Sequence, residues 1–180
     1  KDFPRVSAND VLELTTTIRF HLATRLYEFV EHVLNGNYSS AKEISFELEE
    51  HGYNLRLTHI LDRAKEYLSS RYDKNPDARF GMIASAKDKD LKNHGIPKGF
   101  KSPGEVSAGK YGKWYAEARG VPESCCSLEA VTTEFGAQGL ELDACLLAWG
   151  TDFIIENGQW SNRFSAGYRE SNRIKDAKAL

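Results

Sequence analysis

The chain has 180 residues, of which 41% are hydrophobic and 28% charged, and this composition excludes an intrinsically disordered protein. Its formal net charge of −2 gives no basic signature over the whole chain, so contact with nucleic acid requires a local basic groove or another domain. No apolar run approaches the ~20 residues that span a bilayer, so we expect no membrane contact and a cytoplasmic location.

Three segments are predicted to be helices. Residues 15–34 place apolar side chains three or four positions apart, as an amphipathic helix does. Ser40 and Glu43 form a capping-box pattern, which predicts a second helix from Ser40 to a stop at Gly52. Residues 60–71 are predicted to form the third helix, with their apolar side chains on one face.

The strand candidates are short. Residues 53–58 alternate apolar and polar side chains, which predicts a strand, and residues 79–85 form a buried strand that leads into a loop. Residues 127–133 and 142–149 are two further candidates. Asn157-Gly158 predicts the tight turn of a small hairpin.

Residues 94–122 are rich in glycine and proline, and we expect a long ordered insertion with one short helix. Helices followed by apolar strands predict an α/β layered domain with a mainly parallel sheet, spanning residues 1–180. Because Met82 is the only methionine, we expect this domain to belong to a longer protein. The cysteines and histidines lack metal-ligand spacing, so no metal site is predicted.

Ligands of parallel α/β sheets bind at the carboxyl ends of the strands. This rule directs attention to Ser85, which follows a strand, and to the Gln138-Gly139 turn. Ser85 and Lys87 are candidates for contact with a nucleic-acid backbone. Gln138 can donate and accept hydrogen bonds, and Glu141 can accept them from ribose hydroxyls. By chemistry alone, an exposed strand connection with no ligand is the alternative.

The segment 133–143 resembles motif V of superfamily 1 helicases, whose core is T-x-x-x-A-(K/Q)-G-L-E. Here the core is Thr133 followed by Ala-Gln-Gly-Leu-Glu at 137–141. The resemblance implies that Gln138, Gly139 and Glu141 contact a nucleotide, and that Thr133 faces the nucleic-acid backbone.

Several segments in order resemble the DUF2075 proteins, also described as Schlafen group 3-like DNA/RNA helicase domains. They include residues 79–87, 114–115, 134–143 and 149–152. The resemblance implies a three-layer RecA-like domain of the P-loop NTPase type, the C-terminal motor half of an ATP-dependent DNA or RNA helicase or translocase. Leu14-x-x-x-Ile18-Arg19 resembles motif IV, which implies that Arg19 is the catalytic arginine that reaches the γ-phosphate.

The sequence contains no G-x-x-x-x-G-K-[ST] motif, so we expect ATP with Mg²⁺ to bind only together with an N-terminal P-loop domain of the same parent chain. The isolated chain is therefore expected to be inactive as an ATPase, and DNA or RNA is the expected partner. Two alternatives stay open. One is a non-catalytic nucleic-acid or protein interaction module, and the other is a metal-dependent nuclease using Glu141, Asp143 and Lys87.

Overall fold

The computed structural model describes residues 23–99 and 108–167. Helix α1 (Ala23–Leu34) and helix α2 (Tyr38–Glu50) pack against each other as a hairpin. The turn between them contains Gly36 at a φ of 76°, a left-handed backbone that glycine adopts without strain. Arg25 of α1 forms an ion pair with Glu47 of α2. Residues 15–22 of the first predicted helix lie outside the described residues.

The second helix begins two residues earlier than the capping-box pattern predicts. Asn37 occupies the N-cap position, and no side chain caps the helix there, so the prediction of a start at Ser40 is wrong. The helix buries Ala41, Ile44 and Leu48, which are three and four residues apart. Within the described residues, the part that contains the helical hairpin and extends through Leu55 is one compact unit, and the part from Arg56 onward is another. One domain over residues 1–180 stays a prediction.

The second unit contains a three-stranded parallel sheet. Strand β1 (Phe80–Ala84) lies in the centre, β2 (Val131–Thr133) on one side and β3 (Ala144–Ala148) on the other. Met82 is in register with Val131 on one neighbour and Leu146 on the other. Together with helix α3 (Leu61–Arg71), this sheet makes the unit α/β, as the sequence predicts.

Two strand predictions need correction. Residues 53–58 form no strand, and Leu57 is 82% exposed, so the alternation there has no apolar surface to pack against. The strand predicted at 127–133 begins only at Val131. A short 3-10 helix (Cys125–Ser127) precedes it, and Leu128 then adopts a φ of 56°, which interrupts extended backbone.

The core centres on the middle strand. Phe80 and Met82 are buried, and Leu68 of α3 belongs to the same cluster. Helix α4 (Ala108–Ala116) is the short helix expected within the insertion, and residues 100–107 of that segment lie outside the described residues. Its Trp114 is 1% exposed and donates a hydrogen bond from Nε1 to the Ala130 carbonyl at 3.1 Å. Trp114 therefore packs the insertion onto the sheet.

The predicted hairpin is confirmed. Strands β4 (Ile154–Glu156) and β5 (Gln159–Ser161) pair antiparallel. Asn157 and Gly158 between them have φ values of 51° and 78°, as a two-residue turn of type I′ requires. None of the helices in the described part of the chain is both long and apolar enough to traverse a bilayer.

Candidate functional site

Polar side chains gather at the carboxyl edge of the parallel sheet. Ser85 follows β1, Glu134 follows β2, and Asp152 comes shortly after β3. The Ser85 hydroxyl donates a hydrogen bond to the Asp152 carboxylate, and the Ala86 N–H donates to Glu134 Oε2 at 2.9 Å. The two carboxylates therefore hold the loop after β1 against the ends of both neighbouring strands.

A third carboxylate, Asp88, shapes the loop itself. Its Oδ1 accepts hydrogen bonds from the backbone N–H groups of Asp90 and Leu91, each at 2.6 Å, and its Oδ2 accepts from the Asp152 N–H at 3.3 Å. These bonds hold the start of a 3-10 helix (Leu91–His94). Gly150 lies so close that an added Cβ would be 2.8 Å from Asp88 Oδ2.

The pKa values of the two aspartates are shifted in opposite directions. Burial raises the pKa of Asp152 above the ordinary 3.8, and the neighbouring Asp88 raises it further, although the Ser85 hydroxyl opposes this. Burial also acts to raise the pKa of Asp88, but hydrogen bonds from the Leu91 and Asp90 N–H groups outweigh it and hold that pKa below 3.8. Of the two carboxyl groups, Asp88 is thus the one whose charged form the fold favours.

These opposite shifts predict that the two aspartates change the stability of the protein with pH in opposite directions. The raised pKa of Asp152 adds stability that is full below pH 3.8 and is lost as the pH rises through the folded-state value, because ionisation of a buried carboxyl costs free energy. Asp152→Asn places a hydrogen-bonding group there that is neutral at every pH. We expect it to gain stability relative to the wild type as the pH rises from about 4 to 8, measured by urea unfolding.

Asp88→Asn is the matched control. The lowered pKa of Asp88 adds stability that is present above pH 3.8 and is lost as the pH falls through the folded-state value. This variant is expected to lose stability relative to the wild type as the pH rises from about 2 to 5, and to keep a constant difference at higher pH. Equal pH dependence of the two variants would contradict the opposite shifts of the two pKa values.

A cavity of about 340 Å³ opens at this edge of the sheet. Ser85 and Thr133 line it together with apolar side chains, and three lysines also contribute: Lys89, Lys92 and Lys98. The backbone at Gly99 is pressed against β2, because a Cβ at Gly99 would lie 2.7 Å from the carbonyl carbon of Thr132. A side chain at position 99 would clash with β2, so glycine is required there.

The structure brings two of the predicted nucleic-acid-binding residues together. Ala84 is in register with Thr133, so Ser85 and Thr133 both stand at the carboxyl edge, and both are buried. Lys87, the third, is half-buried and is held by its backbone: its N–H donates to Ser85 Oγ at 3.3 Å, and its carbonyl accepts from the Ala166 N–H at 2.8 Å. Lys87 does not line the cavity.

The predicted nucleotide-binding residues form an exposed corner of the chain between β2 and β3. Gln138, Gly139 and Glu141 are exposed, and Gly139 has a φ of 83° with no atom within 4 Å of where a Cβ would stand. The Glu141 carbonyl accepts a hydrogen bond from the Tyr115 hydroxyl at 2.9 Å. These three residues do not line the cavity that Ser85 and Thr133 share.

The connection 134–143 runs from one edge of the sheet to the other. It leaves β2 at Thr133, whose carbonyl accepts from the Ala137 N–H at 2.9 Å. It reaches the amino edge at Asp143, whose N–H donates to the Arg79 carbonyl and whose carboxylate accepts from the Arg79 N–H, both at 2.7 Å. The five residues of β1 separate the two edges by roughly 13 Å.

The contacts of Asp143 also bear on the hypothesis of a metal-dependent nuclease that uses Glu141, Asp143 and Lys87. The Asp143 carboxylate is engaged with backbone at the amino edge, whereas Lys87 follows β1 at the carboxyl edge. Among residues 23–99 and 108–167, no group of three or more histidine, cysteine, aspartate or glutamate side chains is arranged to hold a metal ion.

Arg19, the predicted catalytic arginine, lies outside the described residues. Sequence reasoning missed the carboxylates Asp88, Glu134 and Asp152. It also missed the three lysines of the cavity. Glu134 and Asp152 could have been found from the sequence. The rule that ligands bind at the carboxyl ends of parallel strands applies to β2 and β3 as it does to β1, which Ser85 follows. The recurrence of lysine at 89, 92 and 98, shortly after β1, was the sign of a local basic surface.

The comparison with known families agrees with the resemblance seen in the sequence. The model of the family described as Schlafen group 3, DNA/RNA helicase domain, matches residues 3–180. No curated protein and no solved structure matches the chain. Because the family match covers nearly all of the sequence, the chain belongs to the Schlafen group 3 DNA/RNA helicase domain family.

Proposed function

We propose that this chain is the C-terminal motor half of a superfamily 1-like, ATP-dependent DNA or RNA helicase or translocase, with a RecA-like fold. Membership of a helicase-domain family supports a helicase-related role. In this proposal Arg19 acts from motif IV, while Gln138, Gly139 and Glu141 act from motif V. An N-terminal P-loop domain of the same parent chain completes the ATP site.

The observation that carries the proposal is the course of the connection 134–143. It begins beside a lysine-lined cavity at one edge of the sheet and presents an exposed corner before it reaches the other edge. A segment of this kind can link the occupancy of two sites, since both ends are hydrogen-bonded to the sheet. Thr133 is the nucleic-acid end in the proposal, and Glu141 is the nucleotide end.

The exposed corner at residues 138–141 is accessible to a nucleotide that is bound by another domain. The Gln138 and Glu141 side chains are exposed and make no hydrogen bond to another described residue, and Gly139 leaves open space in front of the backbone. Bound ATP supplies the phosphoryl group whose hydrolysis drives a motor cycle. Gln138 and Glu141 would hold and orient the nucleotide, and we expect the Mg²⁺ ligands to come from the P-loop domain.

The proposal is tested by ATP hydrolysis in the parent protein and in this chain alone. The isolated chain is expected to show no turnover. In the parent protein, Glu141→Ala is expected to raise the KM for ATP roughly 10-fold, because a hydrogen bond from a ribose hydroxyl to a charged group is lost. Glu129→Ala is the control, since Glu129 is also exposed and stands in the turn before β2.

ATP hydrolysis by the isolated chain that is lost in the Glu141→Ala variant would contradict the proposal that two domains form the ATP site. Equal KM values for the Glu141 and Glu129 variants would contradict the role of the corner. Nucleic-acid binding by a parent protein that lacks ATP hydrolysis would instead favour the alternative, a non-catalytic interaction module derived from the same fold.

A further inference from the structure

A single hydrogen bond connects Glu141 to the rest of its unit. The Tyr115 hydroxyl, near the end of α4, donates to the Glu141 carbonyl at 2.9 Å. Among residues 23–99 and 108–167, this is the one hydrogen bond in which Glu141 takes part. The two residues are 26 positions apart in the chain, so the bond ties the exposed corner to the glycine- and proline-rich segment 94–122.

The Tyr115 hydroxyl has a defined position because its helix is fastened to the core. Tyr115 is half-buried and packs against the hydrophobic cluster. Its neighbour Trp114 is fully buried and bonded to the Ala130 carbonyl, so the end of α4 is held on the sheet. A tyrosine ring has only two side-chain torsions, and the place of its hydroxyl therefore follows from the place of the helix.

The corner has few other restraints near Glu141. Leu140 and Leu142 are half-buried and pack against the core, whereas Glu141 between them is exposed. Gly139, just before them, has open space in front of its backbone. Because peptide groups are planar, fixing the Glu141 carbonyl fixes the backbone torsion that follows its Cα. The bond from Tyr115 therefore limits the directions in which the Glu141 side chain can point.

We propose that Tyr115 is a positioning residue for the nucleotide corner. Its hydroxyl holds the Glu141 backbone so that the carboxylate is already oriented when the ribose of ATP arrives. A ligand group that is fixed before binding loses less conformational entropy on binding, which strengthens the interaction. The inference rests on the proposed function, because it takes Glu141 as a nucleotide ligand. It makes the segment 94–122 part of the ATP site.

The variant Tyr115→Phe in the parent protein tests this role by steady-state ATP hydrolysis. It removes the hydroxyl and keeps the ring that packs on the core. The KM for ATP is expected to rise about 3-fold with kcat unchanged, because binding of the ground state and of the transition state weaken equally. The rise is smaller than for Glu141→Ala, since Tyr115 acts only through Glu141. A merely structural role would lower the amount of active protein, and thus the apparent kcat, without changing KM.

Tyr72→Phe is the matched control. The Tyr72 hydroxyl donates to the Asp143 carbonyl at 3.0 Å, so this variant also removes a bond between a tyrosine hydroxyl and the connection 134–143. Asp143 is held in addition by two bonds to the Arg79 backbone, which the variant leaves intact. We expect the KM to change by less than about 1.5-fold. Equal rises in KM for the two tyrosine variants would overturn the proposal.

The double variant Tyr115→Phe/Glu141→Ala shows whether the tyrosine acts through Glu141. Substitutions that act on one interaction are not additive. The double variant is therefore expected to have the KM of Glu141→Ala alone. A further increase of about 3-fold would show that Tyr115 affects ATP binding independently of Glu141, and would overturn the positioning role.

The restraint itself can be measured in the 180-residue chain without ATP. Backbone ¹⁵N relaxation gives the order parameters of the Glu141 and Leu142 N–H groups on the picosecond to nanosecond timescale. In Tyr115→Phe these order parameters are expected to fall toward about 0.6, the range of flexible backbone, whereas Tyr72→Phe leaves them near the wild-type values. Unchanged order parameters in Tyr115→Phe would overturn the proposal.

The outcomes for Glu141→Ala and Tyr115→Phe separate this inference from the proposed function. A raised KM in Glu141→Ala together with a wild-type KM in Tyr115→Phe would overturn the positioning role and leave the motor proposal intact. An unchanged KM in Glu141→Ala would contradict the nucleotide corner itself, and the role of Tyr115 would be overturned with it.

Discussion

Replacement of Trp114 by alanine is expected to lower the free energy of unfolding of this chain by about 3–5 kcal/mol. Trp114 is the largest fully buried side chain of the described residues, at 1% exposure. Its ring lies against the central strand, where an added Cβ at Gly81 would be 2.8 Å from Trp114 Cζ2. Truncation would therefore leave a cavity next to rigid β-sheet backbone, which cannot collapse to fill it.

A lost hydrogen bond adds to this cost, because the Ala130 carbonyl accepts from the indole Nε1 just before β2 begins. Urea unfolding followed by far-ultraviolet circular dichroism measures the effect without depending on tryptophan fluorescence. Trp149→Ala is the matched control: Trp149 is 39% exposed, so a loss of about 1 kcal/mol or less is expected. Similar losses for the two variants would show that Trp114 does not fasten α4 to the sheet.

Replacement of Arg19 by alanine is expected to lower the kcat of ATP hydrolysis by the parent protein about 10³-fold. In the proposed motor, this guanidinium stabilises the charge that develops on the transferred phosphoryl group. The substitution removes an interaction made mainly in the transition state, so kcat is expected to fall much more than KM changes. Arg19→Lys keeps the charge but loses the planar fork of donors, and it is expected to recover only part of the rate.

Arg25→Ala is the control for this experiment. Arg25 is in α1, is exposed, and pairs with Glu28 and Glu47, so its loss removes two surface ion pairs and is expected to leave kcat nearly unchanged. Steady-state hydrolysis over a range of ATP concentrations that reaches saturation is the measurement. Equal rates for the Arg19 and Arg25 variants would contradict the motif IV assignment, whereas loss of ATP binding in Arg19→Ala would show a role in affinity instead of catalysis.

Elements defined by contacts between near neighbours could be predicted from the sequence. Helix α3 follows the spacing of its apolar residues, strand β1 follows an unbroken run of residues without polar side chains, and the hairpin follows Asn157-Gly158. The predictions failed where the outcome depended on distant partners. Residues 53–58 alternate like a strand but find no strand to pair with, and the backbone at Leu128 delays the start of β2.

The sequence by itself determined the family, the α/β class and the placement of Ser85 at the end of a strand, because these depend on residue order and short spacings. Only the tertiary structure decided that Asp88, Asp152 and Ser85 form one hydrogen-bonded group. Asp152 lies 64 residues from Asp88 along the chain, and only the parallel pairing of β1 with β3 brings them together. Pairing between distant strands depends on burial and register, which local sequence patterns do not specify.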